Sequence, residues 1–198
     1  MSADRELILA SASRRRKELL QRIGLPFRAI PSRVQEILLE TESHEDHVLR
    51  LCEEKAREIG GLHPDHWIIG ADTIVLVDGT VLGKPRNRNE ARWMLDKLQG
   101  KTHEVFTGIC LLQLNQEKIV KEAVRTAVHM KALSEEEISW YLHTAEPFDK
   151  AGGYAIQGFG SVLIRGIEGS YTNVVGLPLT ELIQMLRESG AWNLFART

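Results

Sequence analysis

WIIGADTIVLVDGTVLGKP, residues 67–85, is the stretch on which the fold turns. Apolar and β-branched residues fill it, and Asp78–Gly79 supplies the left-handed positions of a tight hairpin turn, so it reads as two antiparallel strands. Upstream, residues 47–59 place Leu49, Cys52, Ala56 and Ile59 at helical spacing. Before them come a strand at 7–10, a helix at 14–23 closed by Gly24, and a short strand at 27–30. Downstream, Ala91, Met94, Leu95 and Leu98 mark a helix closed by Gly100. Long strands follow at 105–114 and 119–133, the second with Val124, Thr126, Val128 and Met130 on alternate positions. Ser134 with Glu137 forms a capping box before a helix through Leu142. A glycine-rich segment, a strand at 162–167 and a helix at 178–189 complete the pattern. Strands and helices mix without strict βα alternation, which predicts an α/β protein with a mixed, twisted β-sheet and flanking helices.

Bulk properties narrow the function. A chain of 198 residues, 43% hydrophobic and 26% charged, fits a single domain over 1–198 with a substantial core. A net charge of −2 argues against a protein that coats nucleic acid, so any positive site must be local. Apolar runs such as TAVHMKAL and VFTGICLLQL are too short or too interrupted to span a bilayer. Nothing at the N-terminus reads as a signal peptide. Cys52 and Cys110 sit in apolar surroundings without metal-ligand spacing, and fit a reducing cytoplasm.

The chemistry-bearing residues begin with LILASASRRRKELL, residues 7–20. Three arginines at a helix start oppose the helix dipole, at roughly 0.3–1 kcal/mol per exposed charge. Either they are solvated around an ordinary Ser13 N-cap, or an anion sits among them. The second reading uses the unsatisfied N–H groups of a helix start, the hydroxyls of Ser11 and Ser13, and the forked donors of Arg15 and Arg16. Asp72 stands in an apolar strand, where an unpaired carboxylate is costly to desolvate. It either caps local backbone or has a cation beside it. A regular hairpin would set Thr73 opposite Lys84 and bring Lys84 towards Asp72. Lys55 flanks an apolar stripe and either snorkels or points inward. Glu36 is a second carboxylate that spacing alone does not tie to Asp72.

These blocks together resemble the Maf family of nucleoside triphosphate pyrophosphatases. LILASASRRRKELL, PSRVQE, EEKAR, IIGADTIV, GKP, GKTHEVFTG, EPFDKAGGYAIQG and GSYTNVVGLP match the family's blocks in order, over nearly the whole chain. Arg14 stands where the family usually has proline, which leaves Arg15 and Arg16 aligned. The resemblance implies an inosine-triphosphatase-like fold of two lobes around a central cleft. It implies hydrolysis of a nucleoside triphosphate to monophosphate and pyrophosphate with a divalent cation, Mg²⁺ or Mn²⁺. Asp72 would accept a proton from water or hold the metal, and Glu36 would assist at the metal. Lys55 and Lys84 would stabilise negative charge, and Ser13, Arg15 and Arg16 would bind phosphates. Arg15, Thr73 and Gln157 match the family class acting on dTTP and UTP, and the Gln157 amide, which both donates and accepts, suits a uracil or thymine edge. The same resemblance implies a homodimer that clears the nucleotide pool, while the charge balance, the short apolar runs and the thiols add the expectation of a cytoplasmic protein with neither nucleic acid nor membrane as partner.

Other signals carry less. QGKT at 99–102 lacks the first glycine of a P-loop and follows a helix instead of opening one. His44 with His47, and His63 with His66, have i,i+3 spacing but no third ligand, and read as solvated surface histidines. Trp67, Trp93, Trp140 and Trp192 read as core or interface residues. Asp149 and Lys150 either shape a base pocket or pack a loop.

Overall fold

Strand β1 (Leu7–Leu9) is buried along its whole length, as expected of a short apolar run with parallel neighbours on both sides. The structure, a computed structural model, describes residues 6–39 and 41–192. The remaining strands are β2 (Arg28–Ala29), β3 (Trp67–Val77), β4 (Thr80–Leu82), β5 (Thr102–Gln113), β6 (Lys118–Met130) and β7 (Ile164–Glu168). Among the described residues these seven form one mixed sheet in the order β2-β1-β3-β5-β6-β7, with β4 hydrogen-bonded to β3. The helices that flank it are α1 (Arg14–Arg22), α2 (His44–Leu62), α3 (Arg88–Leu98), α4 (Glu135–His143), α5 (Tyr171–Val175) and α6 (Leu179–Glu188). Among the described residues, no helix is long and apolar enough to cross a membrane.

The chain divides into two compact units. Unit one comprises the chain up to Asp72, Thr107–Val124 and the chain from Gly176. In it β1 pairs in parallel with β2 (Leu9 with Ala29) and with β3 (Leu9 with Ile69). Ile8, Ala10, Cys52, Ala56, Ile59, Ile68, Cys110 and Leu112 make a core in which both thiols are buried and free. Helix α2 can lie on this sheet because two residues beneath it lack side chains. A Cβ at Gly70 would fall 2.0 Å from the Cys52 carbonyl oxygen, and one at Gly108 would fall 2.3 Å from that of Val48.

Unit two comprises Thr73–Phe106 and Arg125–Val175. Its hairpin is the predicted one, with φ of 47° at Asp78 and 71° at Gly79, and β3–β4 pairing from Val77 with Thr80 to Val75 with Leu82. The capping box at Ser134 and Glu137 starts α4, and Asn87 caps α3 by accepting from the Glu90 N–H. The core packs Val75, Leu82, Leu95, Leu98, Val128 and Tyr141, among others. Strand β7 begins at Ile164, two residues later than periodicity predicts, because residues 158–163 coil into a 3₁₀ turn. Helix α5, too short for a periodic signal, is not foreseen. Trp67 is core, whereas Trp93 and Trp140 are 45% and 44% exposed.

Unit two also buries a polar couple. His103 is 1% exposed, and its Nε2 lies 2.6 Å from the Tyr154 hydroxyl, with the rings edge to face. Burial pulls the His103 imidazole down to about 4, so it is neutral in the native protein near pH 7. As the pH falls below the ordinary histidine value, the unfolded chain takes up a proton that the native chain refuses. The stabilisation is therefore complete above about pH 6.5 and is lost progressively down to about pH 4, by about 3 kcal/mol in all. Urea unfolding between pH 7.5 and 4.5 should show a steeper loss for the wild type than for His103→Gln. Parallel curves would assign acid sensitivity elsewhere.

Candidate active site

The first elements of unit one separate the three arginines. Strand β1 ends, and Ser11–Ala12–Ser13 leads into α1, where Ser13 is the N-cap and its Oγ accepts from the Arg16 N–H at 3.4 Å. Arg14 is solvated and pairs with Glu18 at 2.7 Å. Arg15 is half-buried. Arg16 is buried: its Nε donates to the Gly176 carbonyl at 2.8 Å, and its Nη1 donates to Ala71 O at 2.9 Å and Ser11 Oγ at 3.2 Å. Burial lowers the Arg16 pKa from its ordinary value, and the Asp72 and Glu36 charges act in the opposite sense. Its guanidinium thus joins the α1 start to the carbonyl immediately before Asp72.

Helix α2 supplies the second element. Sequence periodicity puts Leu49 on the buried stripe, but the structure buries Val48, Leu51, Cys52, Ala56 and Ile59 and leaves Leu49 half-buried. That rotation sets Lys55 inside the stripe and resolves its two readings: it points inward. Lys55 Nζ donates to Asp72 Oδ1 and to Glu36 Oε1, both at 2.6 Å. The Lys55 and Asp72 side chains are 8% and 5% exposed, Glu36 51%. Asp72 therefore has a cation beside it.

Glu36 lies on an irregular segment tied to α2 at both ends. Near its start, Glu58 Oε2 accepts from Ser32 Oγ at 2.5 Å and from the Arg33 N–H at 2.8 Å. Near its end, the Glu42 carboxylate accepts from Arg50 Nε (2.8 Å) and Nη2 (2.6 Å), and Arg50 Nη2 also donates to Ile37 O at 2.9 Å. The hydrogen bonds from Arg50 come first among the causes that hold the Glu42 carboxyl down at about 2. His47, expected on the solvated surface, is instead 4% exposed, with Nδ1 2.6 Å from Glu42 Oε1. Spacing within α2 could not reveal this, because Glu42 precedes the helix. Glu42, Arg50 and Glu58 are the supports that reading for chemistry passed over.

The remaining predicted residues belong to unit two. Thr73 is half-buried in β3. The hairpin register that would set it opposite Lys84 stops at Val75–Leu82, and Lys84 is exposed beyond the ladder's end. Gln157 is half-buried with extended backbone, just before the 3₁₀ turn at 158–163. Lys150 Nζ donates to Glu146 O at 2.6 Å and to the Asp149 carboxylate, a loop-packing arrangement.

Among the described residues there is no group of three or more His, Cys, Asp or Glu that could hold a metal ion by themselves. Asp72 and Glu36 converge on one cationic atom, however, and both offer hard oxygen donors. That set fits Mg²⁺, which commonly takes one or two carboxylates and completes its shell with water and substrate phosphates.

A family model described as "Maf-like protein" matches residues 6–189. The dTTP/UTP pyrophosphatase of Syntrophus aciditrophicus is 50% identical over 186 residues, 94% of this chain and 91% of that protein. A dTTP/UTP pyrophosphatase of a Geobacter species is 51% identical over 185 residues, covering 93% and 96%. That of Caldicellulosiruptor bescii is 47% identical over 190 residues, covering 94% and 96%. Among solved structures, the Staphylococcus aureus Ham1 protein aligns with a TM-score of 0.44 and 15% identity, over 80% of this chain and 79% of that one.

Removing one member of a buried ion pair strands the other, at about 3–5 kcal/mol. Lys55→Met should therefore lower unfolding free energy by about that amount, and adding Asp72→Asn should recover much of it, because the two residues share one interaction. Denaturant titration of both single variants and the double variant checks this, and strictly additive losses would refute the coupling.

Proposed function

This chain belongs to the Maf-like protein family, and on that premise we propose that it hydrolyses dTTP and UTP to the nucleoside monophosphate and pyrophosphate, clearing these nucleotides from the pool. The observation that carries the reading is the buried Lys55 ammonium between Asp72 and Glu36, within a chain about 50% identical to dTTP/UTP pyrophosphatases.

In this reading Asp72 takes the proton from the water that attacks the α-phosphorus, and the bond from that phosphorus to the bridging oxygen of pyrophosphate breaks. Lys55 holds the carboxylate in one orientation through the 2.6 Å contact. The start of α1 binds phosphate through Ser13, the half-buried Arg15 and the N–H groups of its first turn. Arg16 adds positive field from below while it fixes the backbone before Asp72. Lys84, on the exposed end of its hairpin, stabilises developing negative charge, and Thr73 and Gln157 set the preference for a pyrimidine base. Asp72 and Glu36 would hold a divalent cation, Mg²⁺ or Mn²⁺, which would supply charge neutralisation on the triphosphate. The protein works in the cytoplasm, a placement supported by two free, buried thiols. It works as a homodimer, for which exposed Trp140, Phe159 and Val162 offer apolar surface.

Anion-exchange analysis of products, with Mg²⁺ and a panel of nucleoside triphosphates, tests the proposal. dTTP and UTP should yield monophosphate plus pyrophosphate, chelation should stop turnover, and Asp72→Asn should lower kcat by roughly 10²-fold or more. Release of inorganic phosphate without pyrophosphate, or an Asp72→Asn variant as active as wild type, would overturn it.

A further inference from the structure

Unit two holds Gln157 by an arrangement that the proposed chemistry leaves unexplained. The Gln157 side chain is half-buried and makes no hydrogen bond with any described residue, yet the backbone on both sides of it is tied down. On the N-terminal side, the Ala155 N–H donates to the Tyr141 hydroxyl at 3.1 Å. On the C-terminal side, the Phe159 N–H donates to Glu146 Oε2 at 3.0 Å and the Gly160 N–H to Glu146 Oε1 at 2.7 Å. The two anchors are joined, because the Tyr141 hydroxyl donates to Glu146 Oε1 at 3.0 Å.

The fit around the carboxylate is close. A Cβ at Gly158, whose φ is +64°, would fall 2.2 Å from Glu146 Oε2, and one at Gly160 would fall 2.2 Å from Ala155 O and 2.9 Å from the Tyr141 hydroxyl. Tyr141 is fully buried, and burial together with the Glu146 charge pushes its phenol up, so it remains a neutral donor. Lys150 secures Glu146 in turn through its backbone carbonyl. A carboxylate that accepts from two backbone N–H groups and a phenol is a rigid support. What it supports is a short segment whose one amide side chain has both donor and acceptor capacity uncommitted.

We infer that Glu146, together with Tyr141, is a positioning residue that presents the Gln157 amide to the substrate base and so maintains pyrimidine selectivity. The inference rests on the base-reading role proposed for Gln157. It assigns Glu146 no contact with the nucleotide. A preset amide meets the base edge without first losing conformational freedom, whereas a loosened segment must be ordered on binding. The deficit should accordingly appear in KM and in selectivity, and kcat should change little.

The test uses Glu146→Gln, Tyr141→Phe, Gln157→Ala and the Glu146→Gln/Gln157→Ala double variant in the full chain. Glu146→Gln should raise KM for UTP roughly tenfold, the scale of one lost hydrogen bond to a charged group, with kcat within about twofold. It should erode the preference for UTP over ITP by a similar factor, and should have no further effect on selectivity once Gln157 is alanine. Amide hydrogen exchange at Phe159 and Gly160 should accelerate in the free enzyme, a readout independent of turnover. Tyr141→Phe, which removes only the hydroxyl, should shift KM in the same direction and carries the test if Glu146→Gln does not fold. Selectivity lost in Gln157→Ala but retained in Glu146→Gln and Tyr141→Phe would overturn the positioning role alone. Selectivity retained in Gln157→Ala would overturn the base-reading role, and the inference with it. A fall in kcat at unchanged KM, or effects of the two substitutions that simply add, would also overturn it.

Discussion

One ammonium group, Lys55 Nζ, stands 2.6 Å from two carboxylates, and the candidate active site depends on that contact. A buried Asp72 without it would stand as an uncompensated charge and destabilise the sheet that carries it. With it, the Asp72 carboxylate has a charge partner in the middle of β3, where a base or a metal ligand is needed. The second carboxylate, Glu36, comes from an irregular segment, and the contact draws it to the same atom. Around this group sit supports of one kind: Arg16 on the carbonyl of Ala71, Glu58 and Glu42 on the segment bearing Glu36. Each fixes backbone by a charge-assisted hydrogen bond, which is shorter and stronger than a neutral one.

The arginine run shows how one composition serves three ends. Arg14 faces water, Arg15 is half-buried, and Arg16 lies beneath the α1 start with three acceptors for its donors. Charge opposed to the helix dipole is tolerable for Arg16, because its guanidinium is matched by backbone carbonyls and by the fields of Asp72 and Glu36.

The fold was legible wherever local chemistry decides it. The Asp78–Gly79 turn, the Ser134–Glu137 capping box and the terminating Gly24 and Gly100 follow from backbone preferences that act within a few residues, and all hold. The strand expected to start at 162 fails by two residues, since a 3₁₀ turn is set by the distant Glu146 accepting from Phe159 and Gly160. Lys55 shows the same limit at the site. Periodicity could place it beside a stripe, but only the rotation of α2 on the sheet puts it within. The Asp72–Glu36 convergence was beyond spacing altogether, because residues that far apart meet through tertiary packing. His47 departs from its expected surface position for a related reason: its partner Glu42 lies outside α2, so the helical pattern holds no sign of it. Resemblance named the chemistry-bearing residues, but the charged groups that hold them still come from the three-dimensional arrangement.

The close approach of α2 to the sheet has a further consequence for how this protein can change. Gly70 and Gly108 leave the helix backbone no latitude, with carbonyl oxygens where any Cβ would stand. Gly70 lies two residues before Asp72, and the Cys52 carbonyl it admits lies one helical turn before Lys55. Packing of the core and spacing of the ion pair are therefore a single variable. A replacement at position 70 would be a core mutation and an active-site mutation at once, and no sequence of small steps at that position can adjust one while sparing the other. The site can be retuned only from its periphery, through Glu36 and the segment that carries it, where half the side chain already meets solvent.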